Sequence, residues 1–259
     1  MTRVFKIGGN VVDDEDALRR FCCDFARVEG PKVLVHGGGV LASQIQKALG
    51  QQPVKIEGRR VTDAETLKVV TMVYSGWCNK HITALLQAEG CNAIGLSGCD
   101  GSVVKATRRA PKTLSDGVTV VDFGFVGDVC PESVDSAFLG SLIDRGLVPV
   151  LCAINHDGAG QLLNTNADTI AASVASALGA ELVCCFELDG VLLDRNDPSS
   201  VIPSISATGF EELKSRGTVA DGMIPKIDNC LDALRSGACA ATIKNASRIT
   251  DDSGTRICL

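Results

Sequence analysis

The chain begins with two strand-to-helix units, each joined by a run of glycines. The apolar strand RVFKI ends at Gly8 and Gly9, and the strand KVLVH is followed by three glycines at 37–39. Glycine permits left-handed backbone angles and lets backbone N–H groups approach a ligand at a helix start. Consecutive units of this kind pack into a parallel sheet covered by helices. The sequence therefore predicts an α/β fold with ligand sites at the carboxyl ends of its strands.

The apolar periodicity continues this alternation along the chain. It predicts further strands over 93–96, 102–106, 118–125, 147–153, 181–187, 191–193 and 240–243, and helices over 13–28, 40–49, 63–78, 133–145, 169–178, 210–216 and 223–234. The segment 53–61 alternates like a hairpin arm, and TDAE at 62–65 has the form of a capping box. No Pro/Ser-rich linker divides the chain. We therefore expect two lobes, residues 1–178 and 179–259, that share one mainly parallel sheet in a three-layer αβα sandwich.

Composition narrows the functional classes. Apolar residues make up 45% of the 259 residues, and the net charge of −6 without a long basic run argues against nucleic-acid binding. The twelve cysteines include no C-x-x-C pair, and several lie in apolar runs. We therefore expect reduced, mostly buried thiols rather than disulfides or a metal centre. No apolar run approaches the roughly 20 residues of a membrane span and no signal peptide is evident, so we expect a soluble cytoplasmic protein.

The segment LLNTNAD at 162–168 places three polar side chains at the start of a helix. Asn164, Asn166 and Asp168 directly precede the apolar-periodic run 169–178. The positive end of the helix dipole stabilises a carboxylate there, and nearby backbone N–H groups can bind an anion. The competing interpretation is a capping box over 165–168, in which Asp168 only satisfies backbone donors.

Two lysines lie where structure alone does not favour them, and one arginine is held beside a helix start. Lys6 is near the end of a buried strand, so its ammonium either reaches a solvated edge or pairs with an anion. Lys226 lies in the first turn of a helix, where it opposes the helix dipole, and Arg60 lies just before a helix start. The chain has no Ser-His-Asp order and no metal-ligand cluster. This set suits phosphoryl transfer, in which positioning and charge stabilisation supply most of the catalysis.

Six motifs, taken in this order, resemble those of the acetylglutamate kinases in the amino acid kinase superfamily. They are KIGGN at 6–10, VHGGG at 35–39, GRRVTDAE at 58–65, LLNTNAD at 162–168, DGMIPK at 221–226 and GTRI at 254–257. The resemblance implies an amino acid kinase fold, with an amino-terminal lobe that binds acylglutamate and a carboxy-terminal lobe that binds nucleotide. It also implies phosphorylation of the side-chain carboxylate of N-acetyl-L-glutamate from MgATP, by direct in-line transfer, in arginine biosynthesis.

The resemblance further implies roles for individual residues. Lys6 and Lys226 would neutralise charge on the transferring phosphoryl group from opposite sides, and Asp168 would orient both. The substrate would be bound by Gly38, Gly39, Arg60 and Asn164, the last two holding its α-carboxylate. ATP would contact Gly8 and Gly9 through its phosphates and, beyond these, Glu187, Gly190, Gly222 and Met223. No side chain is assigned to the metal, because Mg²⁺ would be held mainly by the nucleotide phosphates.

Some features depart from the usual pattern of these kinases. The amino terminus lacks the additional helix of arginine-inhibited hexameric relatives, so the resemblance implies an arginine-insensitive homodimer formed through helix 63–78. FELDG stands at 186–190 where relatives show Thr/Ser-Asp-Val-x-Gly. The basic segment 101–117 is interpreted as a solvated excursion. Because it belongs to the substrate lobe, N-succinyl-L-glutamate stays open as the alternative substrate.

Other functional classes also stay open. Aspartate, glutamate and uridylate kinases of the same superfamily share the KIGG and GGG features. Gly37, Gly39 and Ala42 match G-x-G-x-x-A with Glu57 downstream, which is typical of nicotinamide-dependent oxidoreductases. A non-catalytic effector-binding protein is the third class, and it would bind ligand without transferring phosphate.

Overall fold

The computed structural model describes residues 1–114, 116–194, 196–219 and 221–259. Its strands are β1 (Arg3–Ile7), β2 (Lys32–His36), β3 (Lys55–Ile56), β4 (Arg59–Arg60), β5 (Ala93–Leu96), β6 (Thr107–Arg108), β7 (Lys112–Thr113), β8 (Val120–Val121), β9 (Gly127–Asp128), β10 (Val148–Leu151), β11 (Ile154–His156), β12 (Leu162–Asn164), β13 (Glu181–Phe186), β14 (Ser204–Ser206), β15 (Ala240–Asn245) and β16 (Thr255–Cys258).

The α-helices in these ranges are α1 (Gly9–Val12), α2 (Glu15–Arg27), α3 (Gly39–Ala48), α4 (Ala64–Thr71), α5 (Asn79–Ala88), α6 (Ser136–Asp144), α7 (Ala167–Ala177), α8 (Ala207–Ser215) and α9 (Ile224–Arg235). A π-helix, Met72–Cys78, joins α4 to α5. Short 3₁₀ turns lie at Asp100–Ser102, Pro131–Ser133 and Asp221–Met223.

Eight of the described strands form one central sheet, in the order β14-β16-β15-β13-β1-β2-β10-β5. The neighbouring pairs are parallel except β15 and β16. The expected mainly parallel α/β sheet is confirmed. Two-stranded antiparallel sheets outside this sheet pair β3 with β4, β6 with β9, β7 with β8 and β11 with β12. The first of these pairs is the hairpin expected within 53–61.

Two hydrophobic cores lie on opposite faces of the sheet, because successive residues of a strand point to opposite sides. Val4 packs into one core, together with residues of α4, α7 and α9. Phe5 packs into the other with Phe21 and Phe25 of α2, and the rings of Phe5 and Phe25 meet edge-on with centroids 5.2 Å apart. Helices cover both faces, so the predicted three-layer αβα sandwich is confirmed.

Three of the predicted strands are wrong. Residues 102–106 follow a 3₁₀ turn, 118–125 contribute only the short β8, and 191–193 contribute one isolated bridge between Leu192 and Val201. Val103 and Val104 are nevertheless buried in the core. They are apolar because they are buried, although they do not belong to a long strand; tertiary context overrides strand propensity.

The helix predicted over 63–78 is longer and less regular than expected. α4, the π-helix and α5 follow one another without a break from residue 64 to 88. The cap is Asp63, whose carboxylate accepts a hydrogen bond from the backbone N–H of Thr66 at 2.7 Å, so the predicted capping box beginning at Thr62 is wrong. The wider π-turn changes which side chains face the rest of the molecule.

The predicted boundary between residues 178 and 179 falls between α7 and β13. The sheet is continuous across it, since β1 pairs with β13 over its full length. α7 belongs to the first segment by sequence but packs against α9 of the second. The division into an acylglutamate lobe and a nucleotide lobe stays a prediction.

All twelve cysteines lie in the described ranges as free thiols, and most of them are buried, as expected. Among the described residues, the helices are too short or too polar to cross a bilayer.

Candidate active site

Lys6 and Asp168 meet at the carboxyl end of β1. The Lys6 ammonium lies 2.7 Å from a carboxylate oxygen of Asp168, and their side chains are only 10% and 23% exposed. Burial is the largest single influence and lowers the pKa of Lys6, but the charge of Asp168 and its hydrogen bond, with smaller contributions from Cys184 and Cys185, together raise that pKa above its ordinary value. Of the two interpretations of Lys6, the structure therefore supports the ammonium paired with an anion, not the solvated edge.

The start of α7 leaves the Asp168 carboxylate free for this contact. The side chain of Asn166 caps the helix, accepting a hydrogen bond from the backbone N–H of Asp168 at 2.7 Å. Thr165 instead accepts a hydrogen bond from the side-chain amide of Asn155 at 2.6 Å. The competing interpretation, a capping box over 165–168, is therefore wrong. Asp168 lies in the first turn, where the helix dipole stabilises its charge.

The glycine turns lie beside this pair. Gly8 is the residue before α1, and a Cβ at Gly8 would lie 3.7 Å from the Lys6 ammonium. Gly38 precedes α3 with φ +156, and a Cβ there would lie 3.0 Å from the sulfur of Cys78 and 3.1 Å from the ring of Tyr74. Gly38 is thus held beneath the π-helix, and only a residue without a side chain fits without displacement.

A cavity of about 180 Å³ opens next to the Gly38–Gly39 turn. Its lining includes three of the four predicted substrate residues, Gly39, Arg60 and Asn164, together with Lys55, Gly58, Arg59, Tyr74, Arg109, Val126, Thr165 and Asn166. Gly38 is not in the lining and lies behind Tyr74. The cavity therefore extends from the start of α7, next to Asp168, to the β3–β4 hairpin.

Arg60 and Asn164 are fixed by hydrogen bonds within this cavity. The Arg60 guanidinium donates to the backbone carbonyl of Gly39 at 2.7 Å, to the Ser43 hydroxyl at 2.8 Å and to the side chain of Gln46. Asn164 donates to the hydroxyl of Thr62 at 3.0 Å. Both side chains are buried. Their orientation is therefore set before any ligand binds, which lowers the entropic cost of binding.

Among the lining residues that sequence reasoning missed are three basic side chains and one aromatic side chain: Lys55, Arg59, Arg109 and Tyr74. The interpretation of 101–117 as a solvated excursion is wrong for Arg109, whose side chain is 14% exposed and ion-paired with Asp128. The signals available were weak. Arg59 is adjacent to the predicted Arg60. Tyr74 is the one tyrosine of the sequence, but the direction in which its side chain points depends on the π-helix.

A second cavity, of about 340 Å³, lies between the end of β13 and the start of α9. Three of the predicted nucleotide residues, Glu187, Gly222 and Met223, line it together with Lys226, Phe186, Leu188, Val191, Leu192, Thr218 and Val219. Gly190 does not line it, because its backbone packs against β16, where a Cβ would lie 2.6 Å from the Thr255 hydroxyl. This cavity is the candidate nucleotide site.

Lys226 lies at the edge of the second cavity. Its ammonium donates to the carbonyl of Gly222 at 3.2 Å and lies 5.6 Å from the centroid of the Phe186 ring. Within the described ranges, the ion pair of Asp168 is with Lys6 and not with Lys226. Of the two contacts expected for Asp168, the structure therefore contains the one with Lys6.

The described residues contain no group of three or more His, Cys, Asp or Glu side chains that could hold a metal ion.

Comparison with known proteins identifies the protein family of this chain. Residues 1–245 match the model of the amino acid kinase family. The chain is 50% identical to the acetylglutamate kinase of Bacteroides thetaiotaomicron over 258 residues, covering 98% of this chain and 97% of that one. It is 40% identical to the acetylglutamate kinase of Methanopyrus kandleri over 253 residues, covering 97% and 98%. The chain therefore belongs to the amino acid kinase family, as its motifs predict.

Solved structures support the same fold. The N-acetylglutamate synthase of Neisseria gonorrhoeae, complexed with coenzyme A and N-acetyl-glutamate, superposes with a TM-score of 0.81 at 23% identity, covering all of this chain and 59% of that one. The carbamate kinase of Giardia superposes with a TM-score of 0.68 at 16% identity, covering 99% and 98%. Membership of this family removes the support for the nicotinamide alternative, which rested on G-x-G-x-x-A alone.

Proposed function

We propose that this chain phosphorylates the side-chain carboxylate of N-acetyl-L-glutamate with MgATP, giving N-acetyl-L-glutamyl 5-phosphate in arginine biosynthesis. The curated relatives at about half identity over nearly the full chain carry the name acetylglutamate kinase. The observation that carries the proposal is the placement of the buried Lys6–Asp168 pair beside a cavity that contains Arg60 and Asn164. A carboxylate substrate held there would present its reacting end to a fixed positive charge.

The reaction needs no general base. The substrate carboxylate is already ionised at neutral pH, so one of its oxygens attacks the γ-phosphorus directly. The new O–P bond forms while the bond from phosphorus to the bridging oxygen breaks, and ADP leaves with that electron pair. Lys6 and Lys226 neutralise the charge that accumulates on the transferring oxygens, Lys6 from the carboxyl end of β1 and Lys226 from the edge of the second cavity. Asp168 holds the Lys6 ammonium in place.

The remaining predicted residues bind and position the two substrates. Backbone N–H groups at Gly38 and Gly39 bind the acylglutamate, and Arg60 with Asn164 binds its α-carboxylate. Gly8 and Gly9 contact the phosphates. The nucleotide occupies the second cavity against Glu187, Gly222 and Met223.

Mg²⁺ fits this arrangement as a partner of the nucleotide. Mg²⁺ prefers oxygen ligands, which the nucleotide phosphates supply. When bound it supplies further charge neutralisation on the phosphate oxygens. We also propose that the protein works in the cytoplasm as a homodimer.

The test is formation of acyl phosphate by the purified protein. N-acetyl-L-glutamate, MgATP and hydroxylamine should give a hydroxamate in step with ADP release, whereas L-aspartate and L-glutamate should not. Hydroxamate from L-aspartate or L-glutamate alone would assign the chain to another member of the family. Ligand binding without ADP release would support the non-catalytic class.

Lys226→Ala tests the phosphoryl-transfer role. Losing one charge stabiliser should lower turnover by about 10²–10³, by analogy with the loss of one oxyanion-hole donor. Lys214→Ala is the matched control, because Lys214 is a half-buried lysine of the neighbouring helix α8 that pairs with Glu211. Turnover near the wild-type value in a folded Lys226→Ala protein would remove the assignment.

A further inference from the structure

The three carbonyl groups of the glycine turn at 37–39 are all engaged within the protein. The Gly37 carbonyl lies 2.8 Å from Nδ1 of His36. The next two carbonyls accept hydrogen bonds from the backbone N–H of Ala42 at 3.0 Å and from the Arg60 guanidinium at 2.7 Å. The N–H groups of the same two residues make no hydrogen bond to a residue in the described ranges. A carbonyl repels an anion and a backbone N–H binds one, so the turn is suited to an anionic ligand.

The side chain of Asn79 lies between His36 and the ends of two strands. Its Nδ2 is 2.9 Å from the carbonyl of Val150, 3.4 Å from that of Leu96 and 3.1 Å from Nε2 of His36. Carbonyl oxygens only accept hydrogen bonds, so the nitrogen of the Asn79 amide, and not its oxygen, occupies this position. Both side chains are fully buried, so water does not offer either of them another partner. The Asn79 amide therefore donates to Nε2 of His36.

This contact determines which ring nitrogen of His36 carries the proton. A neutral imidazole has one N–H donor and one acceptor nitrogen. Burial lowers the pKa of His36 to about 4, so the ring is neutral around pH 7. Because Nε2 accepts from Asn79, the proton is on Nδ1, and Nδ1 donates to the Gly37 carbonyl.

The hydrogen bond from His36 fixes the plane of the peptide between Gly37 and Gly38. In a trans peptide, such as this one, the C=O and the N–H point in opposite directions. Holding the Gly37 carbonyl towards His36 therefore directs the Gly38 N–H away from His36. Both residues of this peptide are glycines, so the backbone alone restricts its rotation less than at any other residue type. A side chain that holds the carbonyl is what selects one orientation.

We propose that His36 is a positioning residue, itself oriented by Asn79, which presents the Gly38 N–H to an anionic oxygen of bound N-acylglutamate. His36 is fully buried and acts through the Gly37–Gly38 peptide. The inference rests on the proposed function, in which the Gly38 N–H binds the acylglutamate. It goes beyond that function by assigning two buried side chains outside the expected site to the orientation of this N–H.

Two substitutions separate the roles of the two ring nitrogens. The side-chain nitrogen in His36→Asn can occupy the position of Nδ1 and donate to the Gly37 carbonyl. His36→Gln reaches the position of Nε2 instead and leaves that carbonyl without its donor. His156→Gln is the control, because His156 lies on β11 and lines neither the first nor the second cavity.

Calorimetric titration of the purified proteins measures the effect on binding. N-acetyl-L-glutamate and N-succinyl-L-glutamate are both titrated, and the variants are compared with the ligand that the wild type binds more tightly. His36→Gln should raise its Kd about tenfold, as expected for the loss of one hydrogen bond to a charged group, and His36→Asn by no more than about threefold. The Kd of ATP should stay at the wild-type value in both variants, because its proposed cavity lies on other elements. His156→Gln should change neither constant.

NMR of wild-type protein carrying ¹⁵N-labelled histidine reports the tautomer directly. The sequence has three histidines, and the signals of His36 are those that disappear in His36→Asn. The expected result is a proton on Nδ1 and an unprotonated Nε2. This measurement uses the wild-type protein for the tautomer itself, and it does not depend on turnover.

The outcomes separate this inference from the proposed function. A proton on Nε2 of His36 overturns the orientation of the peptide by this ring. An unchanged Kd in His36→Gln, or the same increase in His36→Asn and His36→Gln, overturns the positioning role and leaves the kinase assignment standing. An equal increase in the Kd of ATP would show general damage to the fold and would also overturn it. No binding of either N-acylglutamate to the wild type, alone or with MgADP, counts against the proposed function itself.

Discussion

Lys6 is a buried ammonium whose charge depends on one neighbouring carboxylate. Its pKa is lowered by burial but raised overall by Asp168. A group whose pKa is raised on folding contributes stability that is complete below its unfolded pKa and is lost as the pH rises through the folded value. The pair therefore keeps its full contribution throughout the neutral range, which is where a kinase needs Lys6 charged.

Asp168→Asn should lower the pKa of Lys6, because it removes the main influence that opposes burial. The lysine resonances of protein carrying ¹³C-labelled lysine would report this as one lysine titrating at lower pH than in the wild type. The fold should persist by far-UV circular dichroism, since the helix cap is Asn166 and not Asp168. Turnover should fall by about 10²–10³.

Asp122→Asn is the control for this variant, because Asp122 is an exposed carboxylate paired with Arg108 and should change neither property. An unchanged Lys6 titration in Asp168→Asn would contradict the coupling.

His36 gives a second prediction, for stability rather than activity. It is fully buried, its Nδ1 lies 2.8 Å from the carbonyl of Gly37, and its Nε2 lies 3.1 Å from the side-chain amide of Asn79. Burial lowers its pKa from 6.5 to about 4. The unfolded chain therefore binds a proton that the folded chain does not, so stability falls as the pH drops from 6.5 towards 4.

Urea unfolding at pH 7 and pH 5 measures this effect. The loss assigned to His36 over that interval is about 2 kcal/mol, from about 1.4 kcal/mol for each pKa unit. His36→Gln should lose that share of the pH dependence, whereas His156→Gln should retain it. An equal loss in the wild type and in His36→Gln would show that His36 is not the group responsible.

At the scale of elements, the central strands were the most predictable. β1 and β2 begin and end where the sequence places them, because a strand buried on both faces is a continuous apolar run. Short hairpins carry no such signal, so the pairing of β6 with β9 was missed. The π-turn also has no recognised sequence pattern and depends on packing against the Gly38–Gly39 turn.

Site residues, like strands, could be predicted where the signal lies within one segment of the sequence. Three charged residues could be picked out from the sequence. Lys6 is a charge in a buried strand, and Lys226 is a positive charge at the positive end of a helix, so local structure disfavours both. Asp168 is a negative charge at such an end, which local structure favours. Arg109 reaches the first cavity only because the β6–β9 pairing places it there, and Tyr74 reaches it only through the π-turn. Such placements depend on contacts between distant segments, which one sequence does not reveal.

The contact between the π-helix and α3 predicts that Gly38 and Gly39 respond differently to alanine. Gly38→Ala places a Cβ 3.0 Å from Cys78 and imposes φ +156 on a residue with a side chain, so it should destabilise the fold by about 1–3 kcal/mol. Gly39→Ala meets nothing closer than the Tyr74 hydroxyl at 3.8 Å and should leave stability nearly unchanged. Urea midpoints of the two variants compare them directly, and equal midpoints would contradict this packing argument.

At the scale of the molecule, the long helix from residue 64 to 88 carries two large apolar side chains that the chain itself does not cover. Met72 is 57% exposed and Trp77 is 63% exposed, with the Trp77 ring stacked on His81. A second copy of the chain that packs on this helix would remove both from water. This placement supports the proposed homodimer.

Trp77→Asp should dissociate that dimer, because it places a charge at the centre of the apolar contact. Light scattering should give twice the chain mass for the wild type and a single chain mass for the variant. Val120→Asp is the control: Val120 is 64% exposed on the β7–β8 hairpin, away from this helix, so the variant should stay dimeric. Trp77 is also the one tryptophan of the sequence, so its fluorescence should shift to the red when the wild-type protein is diluted until it dissociates. A hexamer or a monomer at all concentrations would contradict a dimer formed through this helix.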